Sequence, residues 1–337
     1  MCNATIKKNV ETMNTLTYGV EIEYTGASRS RVRDAIATVL GSTDTWNEVS
    51  YQARCVRDSQ GRTWKVVSDA SVTGSGWDEG GELVTPVLKG MTGEGDDMAT
   101  LQECIRAMRR VGARVDSSCG IHIHVGGKFF DAPAIQRLFK LYYANEELIK
   151  RMVAPNANRR SERFEPTEGW ARPMDAGRSG EAADKIMNLR RPSHDTICAA
   201  YYSGYFQGIR NESDAARGTS THSPRGLNHY HDARYRAINL HSFYFENRRT
   251  VEFRIFDASL HAGQVKSYVQ FVLALSARAI NAKRMRKARK EETEVTREAA
   301  RLFCLHTGMQ GATFATARLF MVQRAFDALT EERTYRF

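Results

Sequence analysis

Three pairs of residues stand out by type and spacing: Glu21 with Glu23, His122 with His124, and Glu252 with Arg254, each two apart. In an extended chain that spacing puts both side chains of a pair on one face of the strand. Carboxylates crowded on one face repel each other and need cations beside them. With Glu82 added, the set is the oxygen-rich kind that suits Mg2+ or Mn2+ bridging substrate phosphates. Asn239 joins the same face from a fourth strand, and Gly19 and Gly120 mark places where a ligand could come close to the backbone. A plain sheet with one packed and one wet face is the simpler alternative for any single strand. As a set, these strands oppose it, because their polar faces carry Glu, His, Asn and Arg and no lysine.

Zinc is the competing metal. Cys119, His122 and His124 look like a ligand cluster, yet a regular strand points Cys119 away from both histidines. The histidine pair alone supplies two ligands, and no third stands at a characteristic spacing. His222, His229 and His231 fall in a polar stretch. The sequence has no G-x-x-x-x-G-K-[ST] phosphate loop, no G-x-G-x-x-G after a strand and no G-x-S-x-G elbow. The run TGSGWDEGG reads as a hairpin turn.

The elements that would hold these residues follow from periodicity. Alternation predicts a strand over 16–24, with Tyr18, Val20, Ile22 and Tyr24 opposite Gly19, Glu21 and Glu23. It predicts further strands at 46–56, 62–68, the run ELVTP, 119–125, 235–241 and 250–257. On the strand over 235–241, His241 joins Ala237 and Asn239. Helices are expected from Ser30 to Leu40 with Gly41 as the stop, around Met98 to Met108, over 133–153, from Ala262 onward, and over 294–328. Scattered antiparallel-type strands with peripheral helices imply an α+β fold, largely one antiparallel sheet with helices on one face and a cleft on the other. The chain reads as a single catalytic domain over 1–337. A polar, basic insertion or lid, partly helical near 181–190, spans 155–233, and a helical extension spans 276–337. The insertion is expected to be the most mobile part.

Composition narrows the setting. The chain has 337 residues, 42% hydrophobic and 26% charged, with a formal net charge of +10. This is globular composition with a core large enough to need no disulfide. The positive balance favours anionic partners. The six cysteines form no C-x-x-C pair and read as reduced cytosolic thiols. The longest apolar run, FVLALSARAI, is about half of the ~20 residues that span a bilayer, and no signal peptide opens the chain. A cytoplasmic protein without a membrane partner is expected.

Six pieces in order resemble the amidoligase family, carboxylate–amine ligases with a glutamine synthetase-type catalytic fold. They are YGVEIEY (18–24), VSDASVTGSGWDEGGELVTPVLKG (67–90), SSCGIHIHVG (117–126), VAPNANRR (153–160), RYRAINLH (234–241) and TVEFRIFDASLHAGQVKSYVQF (250–271). The resemblance implies that Glu21, Glu23, Glu82 and Glu252 bind divalent metal, Mg2+ or Mn2+. It implies that His124 meets metal or nucleotide phosphate, with His122 beside it, and that Asn239 lines the nucleotide or substrate side. Arg254 would face the transferred phosphoryl group, and Arg159 or Arg160 a phosphate or substrate carboxylate. ATP would turn a small-molecule or peptide carboxylate into an acyl phosphate, and an amine or amino acid would displace phosphate to form an amide. Asp69 is the candidate base for the incoming ammonium. The basic insertion suits an anionic acceptor. The rivals are a phosphotransferase on a related sheet and a non-catalytic nucleotide- or nucleic-acid-binding protein, the latter suggested by the run KRMRKARK at 283–290.

Overall fold

The computed structural model describes residues 3–70, 72, 79–116, 118–153, 178–203, 213, 232–234, 236–245, 249–285 and 295–327. Arg159, Arg160, most of the glycine-rich turn, most of the stretch 155–233 and residues 286–290 of the basic run lie outside them.

The fold is α+β, built on one mostly antiparallel open sheet of nine strands. The strands are β1 Thr17–Ser28, β2 Thr45–Asn47, β3 Arg54–Arg57, β4 Thr63–Val67, β5 Glu79–Val84, β6 Leu88–Lys89, β7 Gly120–Gly126, β8 Ile238–Asn239 and β9 Thr250–Asp257. Their order is β2-β3-β4-β5-β1-β7-β9-β8, with β6 also paired to β1. The helices that frame it are α1 Asn3–Thr15, α2 Arg29–Leu40, α3 Asp97–Arg110, α4 Ala132–Ala144, α5 Glu146–Val153, α6 Arg178–Asn188, α7 His194–Tyr202, the single turn α8 His241–Tyr244, α9 Ala262–Asn281 and α10 Arg297–Thr307.

Alternation sorts the central strands as expected. Val20 and Ile22 of β1, Ile121, Ile123 and Val125 of β7, and Val251 and Phe253 of β9 are all buried in the main core. Each such side chain contributes roughly 1.5–3 kcal/mol by leaving water. Helices α3, α4 and α9 pack together on that side of the sheet, with α9 against β7. Because α1, α3, α4 and α10 surround α9, it is apolar around most of its circumference, the mark of a central helix. Covering one face so fully leaves the polar face as the place for chemistry.

Several boundaries differ from expectation. The run 46–56 is two short strands, because Tyr51 and Gln52 turn back with φ of 52° and 45°. The helix over 133–153 breaks at Asn145, whose side-chain amide bonds back to the Leu141 carbonyl at 2.8 Å and competes with the helix ladder. The strand over 235–241 shrinks to Ile238–Asn239, and His241 opens a helical turn instead of continuing the face. The C-terminal helix stops at Gly308, left-handed at φ 108°, before further short helical turns. Within 155–233, α6 and α7 bury Ile186, Met187, Ile197, Cys198, Tyr201 and Tyr202 in the main core. Among the described residues no helix is long and apolar enough to cross a membrane.

Candidate active site

Strand register brings the predicted residues into rows on one face. Glu23 pairs with Glu82 across β1 and β5, Glu21 with His122 across β1 and β7, His124 with Glu252 across β7 and β9, and Glu252 with Asn239 across β9 and β8. Direct partners in an antiparallel pair point to the same side about 4.5–5.5 Å apart. Five strands thus put seven predicted residues into one patch.

Glu21 sits at its centre. One carboxylate oxygen lies 3.3 Å from His122 Nδ1 and the other 3.3 Å from His124 Nε2. His122 Nδ1 is also 3.9 Å from Glu82 and 4.0 Å from Glu252. Three sets of potential ligand atoms each fall within 4.8 Å of one another: Glu21–Glu82–His122, Glu21–His124–Glu252 and Glu23–Asp69–Glu82. Glu21 and Glu82 are each shared by two sets, so the sets form one continuous centre. Asp69, half-buried two residues after β4, closes its acidic edge.

The electrostatics divide the patch. Burial works to raise the pKa of Glu21, but His124 and His122 outweigh it and hold this carboxyl well below its usual range. Burial opposes ionisation of Glu252 as well, and there Arg254 and the two histidines win and lower its pKa. Arg254 Nη1 donates to Glu252 Oε1 at 2.6 Å, both side chains buried. Glu82 is the reverse case: burial first, then the charges of Glu21, Glu23 and Asp69, push its pKa well above the usual carboxylate value. Glu82 thus lacks the counter-charge that Glu21 and Glu252 have, and a cation beside it would favour its ionised form.

The donors present fit such a cation. Carboxylate oxygens dominate, with imidazole nitrogen as a minor partner, which suits Mg2+ or Mn2+. His122 turns Nδ1 toward Glu21, Glu82 and Glu252, so that nitrogen is the one placed to join the acids around a cation. Zinc through Cys119 finds no support among the described residues. Cys119 packs with Val72 and Ala258, burial pushes its thiol up to about 12, and it belongs to none of the ligand sets.

Other residues position the patch. Arg29, at the start of α2, donates to the Gly80 carbonyl at 3.0 Å and to Gln52 Oε1 at 2.6 Å, holding the approach to Glu82. Gly81, at φ 153°, leaves no room for a Cβ, which would overlap the Val67 carbonyl oxygen. The Gly120 amide donates to Glu23 Oε2, and Thr250 Oγ1 lies 2.9 Å from His124 Nδ1. Asp257 joins the face through a bulge. Ile121 pairs with Phe256 but Ile123 with Phe253, so one extra residue shifts the alternation and sets Asp257 opposite Gly120. Period-two reading could not find Asp257, since the extra residue leaves no mark in the pattern. His241 leaves the face, and its Nδ1 meets the Tyr202 hydroxyl at 2.8 Å.

A comparison with curated proteins finds no match. Residues 14–276 match the family model described as "Putative amidoligase enzyme". That span covers well over half of the 337 residues and every strand of the sheet. The chain belongs to the amidoligase family.

Proposed function

We propose that this protein is an ATP-dependent carboxylate–amine ligase that forms an amide through an acyl phosphate. The observation that supports this most is the continuous centre of three ligand sets on one sheet face, with Arg254 beside it. A carboxylate does not react with an amine at neutral pH, because oxide is too poor a leaving group. Transfer of the γ-phosphoryl group from ATP makes phosphate the leaving group, and the amine nitrogen then attacks the acyl carbon.

Glu21, Glu23, Glu82 and Glu252 would hold Mg2+ or Mn2+, with His122 and His124 beside them. When bound, the metal neutralises charge on the β- and γ-phosphates and orients them for in-line transfer. Arg254, whose Nη1 donates to Glu252, would meet the charge that builds on the moving phosphoryl group with its planar fork. Asp69, at the acidic edge, would take the proton from the incoming ammonium. Asn239 holds Glu252 Oε2 at 2.5 Å and keeps that carboxylate in place on the nucleotide side. No side-chain nucleophile is needed, since positioning and electrostatics supply the catalysis. Arg159 and Arg160 remain proposed contacts to phosphate or to an anionic acceptor.

Mass spectrometry of products formed from ATP, Mg2+ and a cell extract would identify the substrate pair. With that pair, a carboxylate labelled with 18O should pass one label to inorganic phosphate as ADP and amide appear. ADP with a stable phosphorylated product, and no amide, would make the protein a phosphotransferase instead.

A further inference from the structure

The Glu252 carboxylate is gripped from both sides. Arg254 donates to Oε1 at 2.6 Å and Asn239 Nδ2 to Oε2 at 2.5 Å. A carboxylate oxygen accepts along two lone-pair directions, so each oxygen keeps one for another partner. His122 Nδ1 lies 4.0 Å from Oε1 and His124 Nε2 4.0 Å from Oε2, on the side of the ligand sets. The grip at Oε2 depends on which way the Asn239 amide is turned. Its Oδ1 accepts from the His241 backbone N–H at 2.7 Å and from the Tyr201 hydroxyl at 3.2 Å. Turning the amide over would set its NH2 against the His241 N–H and withdraw the donor from Glu252.

Tyr201 comes from α7, inside the stretch 155–233, and is fully buried. The Arg236 guanidinium lies 4.3 Å from its ring centroid and donates to its carbonyl at 2.7 Å. Its hydroxyl also reaches the Ala233 carbonyl, so one proton is shared between two acceptors. The ring is held by these contacts, and the hydroxyl is the atom that reaches Asn239.

We propose that Tyr201 is a positioning residue for Glu252: by holding Asn239 Oδ1 it keeps Nδ2 on the carboxylate and aims the remaining lone pairs of Glu252 at the metal. The inference rests on Glu252 being a metal ligand, as in the function proposed above. It makes α7, from the described part of 155–233, an element that acts on metal affinity. Hydrogen-bond partners of metal ligands are typically worth 10- to 100-fold in affinity.

The test is Mn2+ titration of the full chain, followed by electron paramagnetic resonance, for wild type, Tyr201→Phe, Asn239→Ala and the double variant. Wild type should bind. Tyr201→Phe, which keeps the ring, should bind roughly 10-fold more weakly. The double variant should bind no more weakly than Asn239→Ala alone, because the hydroxyl acts only through that amide. Unchanged affinity in Tyr201→Phe, or losses that multiply in the double variant, would overturn the inference while leaving the metal centre standing. Should Tyr201→Phe fail to fold, Asn239→Ala carries the test of the amide step: it removes the donor to Glu252 without adding charge, so Mn2+ affinity must fall, and unchanged affinity would refute the path. Absence of Mn2+ binding by wild type would sink the metal reading itself, and the inference with it.

Discussion

Two ends of one sheet face solve the same problem in opposite ways. At the β9–β8 end, Glu252 is buried with an arginine on one oxygen and an asparagine on the other, and its pKa is lowered despite burial. At the β5–β1 end, Glu82 is buried opposite Glu23 and beside Asp69, and its pKa is raised by burial and by its acidic neighbours. The first end carries its own counter-charge, and the second leaves it to be supplied from outside. Glu21 stands between them with a histidine on each oxygen. The contrast implies that the two ends contribute differently to stability, and variants at each can separate them.

The largest expected effect is at the internally paired end. Arg254→Met leaves Glu252 buried without its cation, and breaking a buried pair in this way costs about 3–5 kcal/mol. Chemical denaturation should show a loss of that order, and a loss under about 1 kcal/mol would mean that the pair is dispensable to the fold. Arg254→Lys keeps the charge and loses the planar fork. Turnover should fall roughly 100-fold, as for loss of one transition-state donor, with a far smaller change in ATP affinity. If Arg254 were only a structural partner, the melting temperature would fall and turnover per folded molecule would hold.

The acidic end should respond with the opposite sign. Glu82→Gln removes a carboxyl whose ionisation burial and its acidic neighbours oppose, so the metal-free protein should gain stability at pH 8. The gain should be about 1.4 kcal/mol for each unit by which the pKa is raised. A clear loss of metal-free stability would break the comparison.

The smallest effect is the pH dependence behind that gain. Glu82 has a folded pKa above its unfolded one. Its contribution is therefore fully present below the ordinary carboxylate value and is lost as pH rises through the raised value. Glu21 and Glu252 have lowered values, so theirs is present above the ordinary value and is lost as pH falls through the lowered ones. Stabilisation by added Mg2+, read as a melting shift, should grow with pH across the Glu82 window. It should be flat there in Glu82→Gln.

The alternation of β1, β7 and β9 made the acid-bearing face legible in the sequence, because strand geometry leaves a period-two residue little choice of side. Glu21, Glu23, His122, His124 and Glu252 follow from that alone. Asp257 does not, because a bulge near Arg254 and Ile255 changes the face without changing composition. Nor does the shortness of β8, where the chain turns into α8 after Asn239. Tyr201 is hidden for another reason: it is 38 positions from Asn239 along the chain, and its hydrogen bond to that amide appears only in the folded chain. Local periodicity fixes which face a residue takes. Long-range packing fixes who holds it there.

The central claim is that the acids of this face bind nucleotide through a divalent cation. Isothermal titration of ATP into the full chain, with Mg2+ and again with EDTA, tests it most directly, alongside a Glu21→Gln, Glu23→Gln variant whose fold is checked by circular dichroism. The account predicts ATP binding with Mg2+, little or none with EDTA, and none that depends on metal in the folded variant. Equal ATP affinity with and without EDTA in the wild type would contradict it.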